Sequence, residues 1–378
     1  MSAVGIISEY NPFHAGHAYH IAEAKRLSGA DYAVVIMNGD FVQRGEPAIF
    51  DKYTRTRQAL EGGADLVFEL PVRFGISSAG DFAMGGVLAL DSLGFITSLC
   101  FGSEAGDIKP LQKAAATLEE EPSDFRRLLD RSLRQGLSYP AARALALSAT
   151  AHLEPAVLNE PNNILGIEYC LALRRLHSPM QAITIARKGQ SYHEETPAGT
   201  EDYPSATSLR RQIRQKAETP HLTLADFSQA IGYSLLASPD LCRYKDITPD
   251  LADRIQKYLP VYREAEVLIN LCRNPSLTAA RIRRSLLQCL LKLEKTEMAM
   301  PYLRLLGMKK EASSLLSQRE NASCQILSRL AMDSRKLDLA SYALWQKDLF
   351  ASDLYRQVWC HKYQVELPNE YQHSPVIP

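Results

Sequence analysis

Two histidines near the N-terminus have a spacing that suits phosphate chemistry. His14 and His17 lie on either side of Gly16. The turn Asn11-Pro12 and a short apolar run come before them, so the pair lies where a strand passes into a helix. A helix start presents N–H groups and partial positive charge to an anion, glycine lets a phosphate approach closely, and imidazoles can donate hydrogen bonds to it. We take this turn as the centre of a candidate catalytic site, lined also by His20; the alternative is a capped helix start with two surface histidines.

A second motif opens another predicted helix. Residues 205–210 have the sequence Ser-Ala-Thr-Ser-Leu-Arg. Hydroxyl groups and amides at a helix start can hold the β- and γ-phosphates of a nucleotide, and an arginine can neutralise a leaving pyrophosphate. Ser205, Thr207 and Arg210 are the candidates for these contacts. The alternative is an ordinary helix capped by serine or threonine, with its arginines facing solvent.

A polar loop at 38–47 follows a buried apolar run and is rich in charge and glycine. Asp40, Arg44 or, just beyond the loop, Lys52 could orient a carboxylate substrate, a nucleotide or a metal ion. Asp40 is the candidate for a catalytic role. The alternative is a solvated loop with internal salt bridges.

Three further segments end a predicted strand or open a helix. Gly102 would let adenine or ribose lie against the backbone, and Asn162 could read a base edge with its amide. Arg187 and Lys188 form a basic pair at the end of another predicted strand. For each segment taken alone, the preferred interpretation is structural: a strand-end glycine, a helix cap and a surface basic pair.

A repeated pattern of short apolar runs and helix-like segments must position these motifs. Strands that alternate with helices form a parallel sheet with crossover helices, and such a sheet binds ligands at the carboxyl ends of its strands. The motifs at 9–17, 38–46 and 102–104 all fall at such ends, so we expect them to share one site. The strand-like runs are residues 3–8, 32–37, 66–70 and 98–101.

Beyond about residue 217 the strand signals become sparse and helical periodicity dominates. We therefore predict a catalytic domain at 1–217 and a helical domain at 218–378. Arg281 and Arg284 lie on a predicted helix, and at ~100° per residue their side chains project close together. They form a compact cationic patch that could contact RNA phosphates. The alternative, given equal weight, is a solvated helix face paired with carboxylates.

The composition narrows the class of protein. Lys and Arg number 43, as do Asp and Glu, so the chain has no net charge and we do not expect indiscriminate nucleic-acid binding. The seven cysteines form no Cys-x-x-Cys pair, which argues against a zinc site or a disulfide framework and fits a reducing compartment. The N-terminus does not read as a signal peptide, and no apolar run reaches membrane-spanning length. We expect a cytoplasmic protein with no membrane partner.

The motifs resemble known signatures. His-x-Gly-His resembles the HIGH signature of class I nucleotidyltransferases and aminoacyl-tRNA synthetases, which attack the α-phosphate of ATP. Residues 205–210 resemble their second signature, with departures at Ala206 and Leu209. Longer strings over most of the chain resemble the tRNA(Met) cytidine acetate ligase family. These strings are residues 9–17, 43–48, 65–71, 101–104, 161–169, 280–284 and 302–307.

The resemblance implies a particular fold within the α/β class and a particular reaction. The fold is a Rossmann-like parallel sheet of the HUP nucleotidyltransferase type, here with a C-terminal all-helical domain that would help hold tRNA. The reaction joins acetate to ATP as acetyl-adenylate and then acetylates the wobble cytidine of elongator tRNA(Met), giving N-acetylcytidine. ATP is a substrate, and Mg²⁺ is expected to bridge its phosphates. The family's ATP contacts, carried onto this sequence, fall on Ile7, Ser8, Glu9, Tyr10, Asn11, Pro12, Phe13, His14, Gly16, His17, His20, Gly102, Asn162, Arg187 and Lys188.

Two rival functions would use the same residues. A small-molecule adenylyltransferase of the nicotinamide mononucleotide or phosphopantetheine type shares both signatures but needs no second domain of ~160 residues. A non-catalytic RNA-binding protein could retain the nucleotide fold without its activity. Release of pyrophosphate would exclude this second rival.

Overall fold

The computed structural model of the chain describes residues 2–187, 206–216 and 219–378, so the candidates Lys188 and Ser205 lie outside the described residues. The strands of this part are β1 (Ala3–Ser8), β2 (Tyr32–Asn38), β3 (Phe41–Val42), β4 (Glu46–Pro47), β5 (Leu66–Leu70), β6 (Ile96–Ser103), β7 (Gln181–Ala186), β8 (Tyr302–Met308) and β9 (Gln325–Leu327). Its α-helices are α1 (Ala15–Ser28), α2 (Lys52–Glu61), α3 (Val72–Gly75), α4 (Ala79–Ser92), α5 (Ile108–Glu120), α6 (Ser123–Arg134), α7 (Tyr139–Ala151), α8 (Pro155–Asn159), α9 (Pro161–Arg175), α10 (Ala206–Gln215), α11 (Ser228–Leu236), α12 (Pro249–Tyr258), α13 (Ala265–Cys272), α14 (Ala279–Leu290), α15 (Ser313–Leu316), α16 (Leu330–Asp333) and α17 (Leu339–Tyr363). Among them, no helix has both the length and the apolar character that crossing a membrane requires.

Seven of the described strands form one sheet in the order β7–β6–β1–β2–β5–β8–β9. The first five of these run parallel to their neighbours, β8 is antiparallel to β5, and β9 is parallel to β8. Strands β1, β2 and β5 are apolar and buried almost throughout, as expected for parallel strands covered by helices on both faces. The arrangement confirms the predicted α/β class with a Rossmann-like sheet.

The end of helix α1 and both ends of helix α2 lie at residues that favour helix ends. Helix α1 ends at Gly29, whose φ of 64° is in the left-handed region, where a glycine has no Cβ to clash. Asp51 caps α2 by accepting hydrogen bonds from the backbone N–H groups of Tyr53 and Thr54, and Gly62 ends the helix. These local signals leave two polar loops at the carboxyl ends of β1 and β2.

The C-terminal half corrects the prediction of an all-helical domain, because it contributes β8 and β9 to the sheet. Strand β8 lies along β5, with Arg304 opposite Glu69. Residues 302–307 are all buried. A strand buried on both faces has no apolar–polar alternation, so periodicity could not distinguish it from a buried helix. The domain boundary at residues 217 and 218 stays a prediction.

Helices of the C-terminal half pack around a second apolar core. Ile231 of α11, Leu268 of α13 and Leu286 of α14 are buried in it. Phe41 of the hairpin β3–β4 belongs to the same core, and its ring centroid lies 5.4 Å from that of Phe227. The polar loop after β2 is therefore anchored on the helices of the C-terminal half.

Candidate active site

The junction of β1 and α1 builds a turn at residues 11–17, called the histidine turn below. His14 caps α1, because its Nδ1 accepts a hydrogen bond from the N–H of Gly16 at 3.1 Å. The backbone N–H of His14 donates to Nδ1 of His17 at 3.3 Å. The two rings stack with their centroids 3.8 Å apart. Both Nδ1 atoms are therefore bonded to the backbone, which leaves both Nε2 atoms for other partners.

These hydrogen bonds also decide the charge state of the histidine turn. Because each Nδ1 accepts from a backbone amide, the ring proton occupies Nε2, which becomes a donor. Burial, followed by Arg187 and Arg210, lowers the pKa of His14 to about 4. For His17, burial and then the neighbouring His14 and His20 lower the pKa well below its ordinary value. Two neutral Nε2–H donors at a helix start are suited to bind an anionic group as its charge grows.

His20 lies one helical turn beyond His17. Its Nε2 atom is buried and has no hydrogen-bond partner within the described residues. Burial, followed by Arg187, lowers the pKa of His20 to about 4. Tyr10 and Phe13 enclose His17, with ring centroids 4.8 and 5.5 Å from it. Buried polar atoms are normally hydrogen-bonded, so among the described residues His20 Nε2 is an unsatisfied polar atom close to the histidine turn.

Helix α10 brings the second motif to the histidine turn. Arg210 is 6% exposed, and its Nη1 donates to the carbonyl oxygen of Asn11 at 2.8 Å. Its Nη2 donates to the hydroxyl of Thr207 at 2.9 Å. The Arg210 charge also lies near His14, where it helps to lower the histidine pKa. Thr207 and Arg210 therefore line the same site as the histidines, from a position 199 residues beyond Asn11.

The three other candidate segments meet at the carboxyl end of β6, through Glu104. Its carboxylate accepts hydrogen bonds from the side chain of Asn162 and from the backbone N–H of Asn163. Arg187 donates to Asn162 Oδ1 at 3.1 Å, and the Arg187 Cγ would lie 3.3 Å from a Cβ added at Gly102. Gly102, Asn162 and Arg187 thus form one surface. Sequence reasoning missed the joining role of Glu104; its place just after a strand-end glycine was the available signal.

Asp40 and Lys52 of the polar loop region turn into the protein interior. Lys52 is 1% exposed, and its Nζ lies 2.9 Å from Glu69 and 3.1 Å from Glu370. Asp40 lies 3.6 Å from the same nitrogen, and Arg304 pairs with both glutamates. Burial raises the pKa of Asp40 to about 6, against the opposing effect of Lys52. These five residues, the buried ion cluster, favour internal salt bridges over a catalytic or metal-binding role for Asp40.

A buried arginine that sequence reasoning missed holds the loops around the site. Arg55 of α2 is fully buried and donates to the carbonyl oxygens of Glu9 at 2.8 Å and Asn38 at 2.9 Å. It also donates to the carbonyl oxygen of Phe50 at 2.9 Å. Arg55 therefore connects the end of β1 to the start of the polar loop and to the segment just before α2. The available signal was its position four residues before Ala59, which places it on the buried face of α2.

The two candidate tRNA contacts on α14 have different surroundings. The side chain of Arg284 is 16% exposed and lies 3.7 Å from Asp246. It also donates to the carbonyl oxygen of Gln43 at 3.4 Å, so it packs against the loop that carries the hairpin β3–β4. Arg281 is partly exposed. The structure does not bring the two side chains together as one solvent-facing pair, and their contact with tRNA stays a prediction.

The parallel sheet and the histidine turn at its carboxyl edge define a nucleotidyltransferase of the HIGH class. The model of the family described as HIGH nucleotidyl transferase matches residues 1–369. Within this class, the chain belongs to the tRNA(Met) cytidine acetate ligase family. The resemblance seen in its motifs is thereby confirmed.

Curated relatives and solved structures support this membership over the full chain. A tRNA(Met) cytidine acetate ligase of Caldanaerobacter subterraneus subsp. tengcongensis is 38% identical over 94% of this chain and 95% of its own. One of Fervidobacterium nodosum is 34% identical over 100% of this chain and 99% of its own. Apo TmcAL of Thermotoga maritima has a TM-score of 0.90 at 27% identity, covering 100% of this chain and 99% of that one. TmcAL bound with alpha-thio ATP has a TM-score of 0.88 at 26% identity, with the same coverage.

Proposed function

We propose that this chain is an ATP-dependent acetate ligase that acts on tRNA. It activates acetate as acetyl-adenylate, with release of pyrophosphate. It then acetylates the wobble cytidine of elongator tRNA(Met), giving N-acetylcytidine. The observation that carries the proposal is the pair of neutral Nε2 donors, His14 and His17, at the start of α1. The relatives are named tRNA(Met) cytidine acetate ligases, and one structural neighbour was solved with an ATP analogue.

The first step is an attack by an acetate oxygen on the α-phosphorus of ATP. A new P–O bond forms to acetate, and the bond between the α-phosphorus and the bridging oxygen breaks, so pyrophosphate leaves. Negative charge grows on the α-phosphate oxygens in the transition state. The Nε2–H groups of His14 and His17 donate to these oxygens, and because they are already oriented by the backbone, they need no reorganisation as the charge develops.

The second step transfers the acetyl group. The exocyclic amine of the cytidine attacks the carbonyl carbon of acetyl-adenylate, a C–N bond forms, and the C–O bond to the phosphate breaks. AMP leaves with the electron pair, and the amine releases a proton. The same histidines remain beside the phosphate of the departing AMP, where they continue to stabilise its charge.

The other candidate residues bind different parts of the ATP molecule. We assign the adenosine to the surface of Gly102, Asn162 and Arg187, and Lys188, which lies outside the described residues, stays a candidate for the same contact. Glu104 orients the Asn162 amide through its hydrogen bond. The strand-end and turn residues from Ile7 to Phe13 complete the wall of this pocket. We assign the β- and γ-phosphates to Arg210 and Thr207, beside the histidine turn. Ser205, which lies outside the described residues, stays a candidate for the same contacts.

The triphosphate charge requires neutralisation, and we propose that Mg²⁺ enters with ATP, held by its phosphates. Within residues 2–187, 206–216 and 219–378, no group of three or more His, Cys, Asp or Glu side chains is arranged to bind a metal ion. Asp40 does not fit a metal ligand, because its carboxylate pairs with Lys52. We place the protein in the cytoplasm, where ATP and tRNA occur together, and we assign part of the tRNA contact to the helical half, with Arg281 and Arg284 as candidates.

The experiment that tests the proposal incubates the purified chain with ATP, labelled acetate and unfractionated tRNA. Nucleosides from the digested tRNA are then analysed by mass spectrometry. We expect labelled N-acetylcytidine, confined to elongator tRNA(Met), with one AMP and one pyrophosphate for each acetyl group. A parallel reaction without acetate is the control.

Each rival function predicts a different result from this assay. Pyrophosphate release with nicotinamide mononucleotide or phosphopantetheine, but not with acetate, would assign the chain to the small-molecule adenylyltransferases. Binding of tRNA without any pyrophosphate release would indicate a non-catalytic RNA-binding protein. Either result contradicts the proposal.

A further inference from the structure

A cavity of about 300 Å³ lies between α10 and the hairpin β3–β4. Four of its described lining residues are arginines and one is a carboxylate, which gives it a strong excess of positive charge. A cavity with this lining attracts anions. Its charged lining residues are Arg44, Arg210, Arg211, Arg214 and Glu46.

The arginines of helix α10 that line the cavity lie at different depths, from the protein interior to the surface. At ~100° per residue, Arg210, Arg211 and Arg214 share one side of the helix. Arg210 is buried against the histidine turn, whereas Arg211 and Arg214 are exposed. Burial and then the nearby Arg44 lower the pKa of Arg210, which shows how closely these cations are crowded. The cavity therefore has an inner end at the catalytic turn and an outer end open to solvent.

The outer end of the cavity continues onto α14. Glu46 of β4 pairs with Arg214 at 2.7 Å and with Arg283 of α14 at 3.5 Å. Arg283 also pairs with Glu266 at 2.9 Å. The hairpin is pressed onto α14, because a Cβ added at Gly45 would lie 2.5 Å from the backbone nitrogen of Arg284. A row of cations thus runs from the histidine turn to the helical half.

We propose that this row, the arginine track of Arg44, Arg211, Arg214 and Arg283, binds the phosphodiester backbone of the single-stranded loop that carries the reactive cytidine. The inference rests on the proposed function, since it names how the RNA substrate reaches the acetyl-adenylate. A base in a loop can be splayed out and delivered while its flanking phosphates are held. The inner end of the track delivers the cytidine to the histidine turn.

The charge distribution favours RNA backbone over pyrophosphate at the outer end. Pyrophosphate concentrates several charges in one small ion and needs a dense, uncompensated set of cations. The exposed Arg214 and the partly buried Arg283 instead share the carboxylate of Glu46. Phosphodiesters carry one charge each along the chain, which matches cations that alternate with a carboxylate. Arg214 is exposed to solvent, so an RNA phosphate can approach its guanidinium beside Glu46.

The test compares two arginine pairs with the same spacing. The double variant Arg211→Gln/Arg214→Gln removes two track charges. The control Arg131→Gln/Arg134→Gln removes two exposed arginines from the last turn of α6, which is not part of the track. An unmodified transcript of elongator tRNA(Met) is titrated against each protein at several salt concentrations. Acetate-dependent exchange of pyrophosphate into ATP is measured separately without tRNA.

We expect the track variant to bind the transcript about ten- to a hundredfold more weakly, since it removes up to two charge-assisted contacts and each is worth about tenfold at the lower end of the usual range. The slope of log affinity against log salt should become shallower by roughly 0.7 for each lost phosphate contact. The loss of exchange activity should be much smaller than the loss of tRNA affinity. Glu46→Gln should have the opposite effect and strengthen tRNA binding, because it releases Arg214 for phosphates and leaves Arg283 with one carboxylate partner, Glu266, instead of two.

Three results would overturn the inference. Equal losses in the track variant and in the α6 control would indicate a diffuse field instead of a defined track. A fall in exchange that matches the fall in tRNA affinity, with a raised KM for pyrophosphate, would assign Arg211 and Arg214 to the nucleotide as well. Weaker tRNA binding by Glu46→Gln would show that Glu46 positions the arginines for RNA and does not compete with the phosphates, which contradicts the inference. Absence of acetate-dependent exchange in the unaltered chain would refute the proposed function instead, so the two failures are distinguishable.

Discussion

The histidine turn and the buried ion cluster are both polar, both largely buried, and both near the carboxyl edge of the same sheet, yet they treat charge in opposite ways. In the histidine turn and at the adjacent His20, burial lowers the pKa of His14 and His20 to about 4, so the rings are neutral. In the ion cluster, burial alone would lower the pKa of Lys52, but Glu370 and Glu69 raise it above its ordinary value. The histidines near the turn are therefore neutral, whereas the side chains of the ion cluster stay charged and paired.

The two regions differ in whether their hydrogen-bonding groups are left for a ligand. Lys52 donates to both oxygens of Glu69 and to the hydroxyl of Ser352, and it pairs with Glu370. Burial would raise the pKa of Glu370, but Lys52 and then Arg304 hold it at about 2. The histidine turn uses its Nδ1 atoms internally and leaves the Nε2 donors for a ligand. A cluster whose charged groups all pair with one another stabilises the fold, whereas oriented donors that are left for a ligand are suited to binding and catalysis.

The largest effect that we expect is on stability, from breaking the closed cluster. Lys52→Met removes the cation that three buried carboxylates surround, and loss of one partner from a buried ion pair costs ~3–5 kcal/mol. Chemical denaturation should show a loss of this size in the free energy of unfolding. Glu366→Gln, at an exposed glutamate of the C-terminal tail, should leave stability nearly unchanged.

The activity of the folded Lys52→Met protein sharpens the comparison further. Acetate-dependent exchange per folded molecule should fall much less than stability does. If the variant instead keeps its stability and loses exchange, then the ion cluster is catalytic, and Asp40 regains the role that its sequence position suggested.

The next effect is on catalysis, from removing the open donors. His14→Ala and His17→Ala should each slow acetate-dependent exchange by ~10²–10³, the usual result of losing one donor to a developing charge. The folded state should be retained, because the core of the sheet does not depend on these rings. His361→Ala, at an exposed position near the end of α17, is the matched control. Wild-type exchange in the double variant would place the chemistry elsewhere.

The smallest effect is the expected insensitivity of the exchange rate to mild acid. His14 has an ordinary pKa of 6.5 and a value of about 4 in the folded protein. The neutral donor therefore persists below pH 6.5, and the rate should stay level until the pH approaches that lower value. A rate that rises as pH falls through 6.5 would show that a cationic histidine is the active form.

The same pKa shift has a consequence for stability, with a defined sign. Between the folded and ordinary pKa values the unfolded chain binds more protons than the folded chain, so stability rises with pH across this window and is lost as pH falls from 6.5 towards 4. Denaturation at several pH values should show this slope. Replacing His14 with glutamine should make the slope shallower.

Features that depend on neighbours a few residues away could be predicted from the sequence. The cap at Asp51 and the left-handed Gly29 follow from side chains and backbone preferences within one helical turn. The parallel sheet follows from short apolar runs that alternate with helices. The histidine turn combines both kinds of signal, because its chemistry needs only the order of strand, turn and helix. The sequence therefore predicted where the candidate catalytic centre lies.

Features that depend on distant partners were decided only by the tertiary structure. Strand β8 was hidden because a fully buried run has no period, and its Arg304 is acceptable there only because Glu69 and Glu370 reach it from far along the chain. Arg55 and Glu104 connect loops whose meeting no local spacing encodes. The sequence predicted Arg284 to be a surface cation, but in the structure the hairpin β3–β4 packs against it. A buried charge needs a partner from another segment, and the fold alone determines which segments meet.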